Sequence, residues 1–110
     1  MDNLYLRSML LFNVTAIADK DIGTTVELWL RRQHLPLVQN AGLFTDRRLL
    51  RVLSPPQEGV TICLQLIGHA DDVEHYRREF LPQFQLQAQQ YAGQLFLIES
   101  TMEYMDEQAK

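Results

Sequence analysis

At 110 residues, 46% hydrophobic and 22% charged, the chain has the size and composition of one ordinary globular domain that buries a core without staples. A net charge of −4, with eight of the ten basic residues arginine, excludes a basic coat for nucleic acid and favours specific pairing. One cysteine, Cys63, excludes an internal disulfide and fits a reducing cytoplasm, and no apolar run approaches the about 20 residues that span a bilayer.

Residues 1–8 show no period and read as a tail with no secretory signal. Met9 to Ala18 is rich in β-branched and aromatic residues and predicts a strand. Its two faces are Leu10, Phe12, Val14, Ala16 and Leu11, Asn13, Thr15, Ile17. After a turn at Asp19 to Gly23, Thr24 and Glu27 have capping-box spacing. Val26, Trp29, Leu30 and Leu37 then recur at helical spacing. Pro36 is expected to push Leu35 out of the α region and end or kink this helix. One more turn closes on Gly42.

Leu43 to Leu53 predicts a second strand, Ser54 to Gly59 a hairpin loop, and Val60 to Gly68 a third strand. A second helix follows, with Asp71 and Glu74 as its capping box and Val73, Tyr76, Phe80, Phe84 and Tyr91 along one face. Pro82 kinks it and Gly93 stops it. Gln94 to Tyr104 is the fourth strand, and residues 105–110 read as a frayed tail. The order β-α-β-β-α-β over a single domain, 1–110, predicts a ferredoxin-like α+β fold: a four-stranded antiparallel sheet with two helices on one face.

Two helices cover only one face of such a sheet, yet the strands carry apolar residues on both sides. Leu64 and Leu66 oppose Cys63 and Ile67, and Leu95 and Leu97 oppose Phe96 and Ile98. A sheet with one wet face alternates more cleanly. Two copies packed face to face solve the problem, so a homodimer is expected.

The phrases Phe12-Asn13-Val14-Thr15, Trp29 with His34-Leu35-Pro36, Gly42-Leu43-Phe44-Thr45 and Leu49-Leu50-Arg51 resemble a bacterial family known as a domain of unknown function. The resemblance spans Met9 to Tyr104. That family is similar to the dimeric α+β barrel superfamily of cofactor-free monooxygenases, haem-degrading enzymes and muconolactone isomerase. The resemblance implies a homodimeric barrel with a pocket between sheet and helices, and it implies no particular reaction. Haem-degrading members place an Asn, a Trp and a His around the porphyrin. Asn13 matches on the first strand, but Trp29 and His34 lie on the first helix instead of in the second half of the chain. No haem or other cofactor is therefore expected.

Four residues are candidate ligand contacts. His34, one turn beyond Leu30, is placed to act as a general base or metal ligand, or to order the helix end through a backbone carbonyl. Asn13, mid-strand among apolar neighbours, needs a partner: a ligand, a loop or the dimer mate. Arg51 could grip a ligand carboxylate, although an ion pair with Glu99 is the simpler expectation. Trp29 reads as core that lines the pocket wall. Asp46, Arg47 and Arg48 blunt a strand edge, His69 and His75 look solvated, and Cys63 reads as an inert buried thiol. No metal motif is present. The expected function is a cytoplasmic homodimer that is structural or binds a small apolar or aromatic acid. The alternative is a cofactor-independent monooxygenase or isomerase of small aromatic or lactone substrates with His34 as base.

Overall fold

Period-two alternation makes the first strand the centre of the molecule. In a computed structural model, which describes residues 8–106, β1 (Leu10–Ala18) lies between β3 (Val60–Gly68) and β4 (Leu95–Glu103), antiparallel to both. The edge strand β2 (Asp46–Arg51) pairs antiparallel with β3, so the order is β2-β3-β1-β4. Leu10, Phe12, Val14, Ala16 and Ala18 point to one face and are at most 2% exposed. Ile62, Leu64, Leu66 and Leu95 share that face and are buried with them.

One helical segment joins β1 to β2: α1 (Gly23–Trp29), a π-helical turn (Leu30–His34) and α2 (Leu35–Asn40). A second joins β3 to β4: α3 (Ala70–Glu79) and α4 (Leu81–Gln90), separated at Phe80 just before Pro82. Val26, Leu30, Val38, Val73, Tyr76, Leu81 and Phe84 from both segments close one core over the inward face of the sheet. Gly42 (φ 72°) and Gly93 (φ 85°) take the left-handed conformation that ends each segment. No helix among the described residues is long and apolar enough to cross a membrane.

Pro36 does not end the first helical segment, and Leu35 keeps helical dihedrals (φ −62°, ψ −42°). In a straight α-helix the proline ring would meet the carbonyl four residues back. The wider turn, closed by the Leu35 N–H donating to the Leu30 carbonyl, moves that carbonyl aside. It also shifts the phase of everything after it. Leu37, expected on the inner face, is 46% exposed, and Val38 is fully buried instead. The inward line is Val26, Leu30, His34, Val38. A spacing of four overshoots an ideal helix by about 40° per step, and the π turn absorbs the error. Val38→Ala should therefore cost about 2 kcal/mol in urea unfolding and Leu37→Ala no more than about 0.5 kcal/mol.

Both expected capping boxes are corrected. At α1 no side chain caps the start, and the Ile22 N–H closes the turn on the Asp19 carbonyl at 3.0 Å. Glu27 is drawn away by arginines instead. At α3 the cap lies two residues earlier than Asp71 and Glu74: the His69 N–H donates to Asp72 Oδ2 at 3.1 Å. Gly68 makes room for it, since a Cβ there would stand 2.6 Å from Asp72 Oδ2. The second strand starts at Asp46, not Leu43, because Leu43 and Phe44 turn into the core with Phe44 at φ 69°. Arg47 Nη1 clamps this bend, donating to the carbonyls of Leu43 at 2.5 Å and Phe44 at 2.9 Å. The strand ends at Arg51, short of Leu53. Of the expected N-terminal tail, residues 1–7 lie outside the described residues, and the Ser8 hydroxyl donates to Glu103 Oε2 at 2.6 Å. Met105 is 97% exposed, and residues 107–110 of the expected C-terminal tail lie outside the described residues.

Candidate functional site

The four candidate residues fall in three separate places. His34 and Trp29 belong to an aromatic cluster between the two helical segments. Arg51 stands at a surface cleft, and Asn13 lies on the opposite face of the sheet.

The π turn carries His34 into the core, where its ring has no exposed surface. It stacks on Trp29 with centroids 4.7 Å apart and packs on Phe84 at 5.3 Å. Its Nε2 shares a hydrogen bond with the Tyr76 hydroxyl at 2.7 Å, and Nδ1 has no hydrogen-bond partner. The partner is thus a side chain of α3 and not the expected backbone carbonyl. Burial pushes the imidazole from its ordinary 6.5 down to about 4. Burial also pushes the Tyr76 phenol up, with the Glu99 carboxylate adding to it. Tyr76 reads in the sequence as one more apolar-face residue; the signal for its role is that a buried phenol needs a polar partner.

The pH dependence follows from His34. Its folded pKa is below the unfolded value, so the unfolded chain takes up the proton first as pH falls through about 6.5. Folding stability should lose about 3 kcal/mol between pH 6.5 and 4 from this group alone, and none above pH 7. Urea unfolding across that window checks it: His34→Leu should have a shallower acid slope than the native chain.

Trp29 is half-buried and lines a surface groove with Leu28, Gln87 and Tyr91. His34 lines neither this groove nor the cleft at Arg51. Arg51 pairs with Glu27 of α1, correcting the expected pair with Glu99. Glu99 sits on the covered face, bonded by Arg77 at 3.4 Å and Gln85 at 3.4 Å. Glu27 also holds Arg31 at 3.3 Å. The cleft beside this triad encloses about 290 Å³ over Leu30, Leu49 and Ile62.

Asn13 is only 8% exposed, and its Nδ2 donates to Thr15 Oγ1 at 2.8 Å. Thr15 Oγ1 in turn lies 3.7 Å from Cys63 Sγ, so Cys63 is a half-buried thiol on the sheet face opposite the helices, left open by the described residues, and not a core residue. Strand register arranges this face in rows. Leu50, Cys63, Thr15 and Ile98 form one; Arg48, Gln65, Asn13 and Ser100 form the polar row beside it. Ile17 and Phe96 pair on the far side of the apolar row, and Leu11 pairs with Met102 beyond the polar one. Arg48 is held by Asp46 at 2.7 Å. His69 is exposed, and His75, 38% exposed, meets Glu79 at 3.2 Å. Among the described residues no group of His, Cys, Asp and Glu is arranged to hold a metal ion.

The model of a family described as a domain of unknown function (DUF4286) matches residues 9–105 of the chain. No curated protein and no solved structure matches it.

Proposed function

The chain belongs to the DUF4286 family, and we propose that it works as a homodimer whose two sheets pack open face against open face. The observation that carries this reading is the uncovered apolar field of Ile17, Leu50, Phe96, Ile98 and Met102, each between 38% and 57% exposed. Apolar fields of this kind mark interaction surfaces. A second copy is the occupant that suits it, because a two-fold axis lets the same rows meet themselves and closes the assembly at two. The polar row of Arg48, Gln65, Asn13 and Ser100 then supplies hydrogen-bonding groups that favour one register of the two sheets over its neighbours.

The element order and the strand order β2-β3-β1-β4 support a ferredoxin-like reading of each protomer, and two such sheets face to face make an α+β barrel. Within it the His34–Tyr76 pair serves the core. A general base needs reach to a cavity, and His34 gives its Nε2 to Tyr76 while its ring is wholly enclosed. Binding of a small acid suits the cleft at Arg51 better than the surroundings of His34. A lone cysteine fits a reducing compartment, which for this reading is the cytoplasm.

Association stabilises the folded state by mass action. The thermal unfolding midpoint is therefore expected to rise steadily as protein concentration is raised a hundredfold. A midpoint independent of concentration would overturn the dimer.

A further inference from the structure

The geometry points to the cleft between α1 and the edge strand β2 as a binding site for a small carboxylate with an apolar body. Its floor is apolar, with Leu30 1% and Ile62 4% exposed and Leu49 packed beside them. Its mouth is cationic. Glu27 holds Arg51 through Oε1 and Arg31 through Oε2, so one carboxylate stands between two guanidiniums. The mouth therefore carries one surplus positive charge on a chain whose net charge is −4.

Each guanidinium has five N–H donors, and Glu27 uses a minority of them. The Arg31 and Arg51 side chains are 62% and 53% exposed, so their spare donors face water above the apolar floor. Glu27 demonstrates the chemistry that fits, since a carboxylate at this point already bridges both arginines. An incoming acid lays its tail over Leu30, Leu49 and Ile62 and offers its own oxygens to Arg51, in competition with Glu27. The charge-assisted pair supplies specificity and the buried tail supplies affinity. A volume of about 290 Å³ is at the small end for ligand sites, so the acid is compact. This inference rests on the binding part of the reading above and is independent of the dimer, because every residue it uses belongs to one protomer.

The test is a titration of the full chain followed by amide NMR, with hexanoate as probe and hexanamide as its neutral counterpart. Hexanoate should move the amides of Leu49, Leu50 and Arg51, and hexanamide should not. Arg51→Gln should weaken hexanoate by about tenfold or more. Glu27→Gln, which removes the resident competitor, should tighten it by about fivefold. The proposal is overturned if hexanamide binds as well as hexanoate or if Glu27→Gln leaves binding unchanged or weaker. It is equally overturned if hexanoate at about 10 mM moves none of these amides, a level that corresponds to an affinity too weak to matter. Sedimentation of the same samples reports the dimer separately, so either idea can fail without the other.

Discussion

Ile98→Asp should turn the proposed dimer into a monomer while leaving the protomer folded. Ile98 lies opposite Thr15 on the open face, on the edge strand β4, and is 55% exposed, so in a lone protomer the aspartate would simply face water. Its effect on protomer stability should stay within about 0.5 kcal/mol, as for other exposed positions. In a face-to-face dimer the two-fold axis buries two such carboxylates where the native face presents an apolar row. An unpaired buried charge costs about 3–5 kcal/mol, so the dissociation constant should rise by at least about a thousandfold. Leu86→Asp is the control: that residue is 61% exposed on α4, away from the open face, and should leave the mass unchanged. Gel filtration with light scattering reads both variants. An Ile98→Asp protein as dimeric as the native chain would remove this face from the interface.

The second large effect is expected at Tyr76. Its ring is fully buried against Phe12 at 5.7 Å and Phe44 at 6.1 Å, and its hydroxyl holds His34. Tyr76→Ala should cost about 3–5 kcal/mol, a large share of the 5–15 kcal/mol that holds a domain of this size. Tyr76→Phe keeps the ring and removes only the hydroxyl. It should still cost about 1–3 kcal/mol, because His34 Nε2 then joins Nδ1 in having no partner. Pairing Tyr76→Phe with His34→Leu removes both halves of the bond at once. The double variant should be more stable than the sum of the two single losses predicts, by about 1 kcal/mol or more. Urea unfolding of the four proteins measures this coupling. Strict additivity would show that the bond contributes nothing to the fold.

The sequence carries the strands more openly than the helices. Val60 to Gly68 is bounded by a Gly-terminated loop and a glycine, and the predicted and observed ends of that strand agree. Alternation in β1 likewise reports which residues form the core, because period two is fixed by the pleat wherever a strand runs. Helical phase is less legible. Pro36 signals a disturbance, but the pattern does not say whether the chain breaks or widens into a π turn. Only the second outcome puts Val38 inside and Leu37 outside. The same limit governs the site. His34 and Tyr76 are 42 residues apart, and Arg51 and Glu27 are 24 apart, so each pairing depends on how the elements pack. On strand pattern alone Glu99 is the expected partner of Arg51. The order β2-β3-β1-β4 puts β2 and β4 on opposite edges of the sheet and leaves Glu99 to Arg77.

Sedimentation equilibrium of the native chain tests the shared sheet face most directly. A mass of twice 12.8 kDa is expected across the micromolar range. A mass of 12.8 kDa there, with the chain folded and soluble, would contradict it.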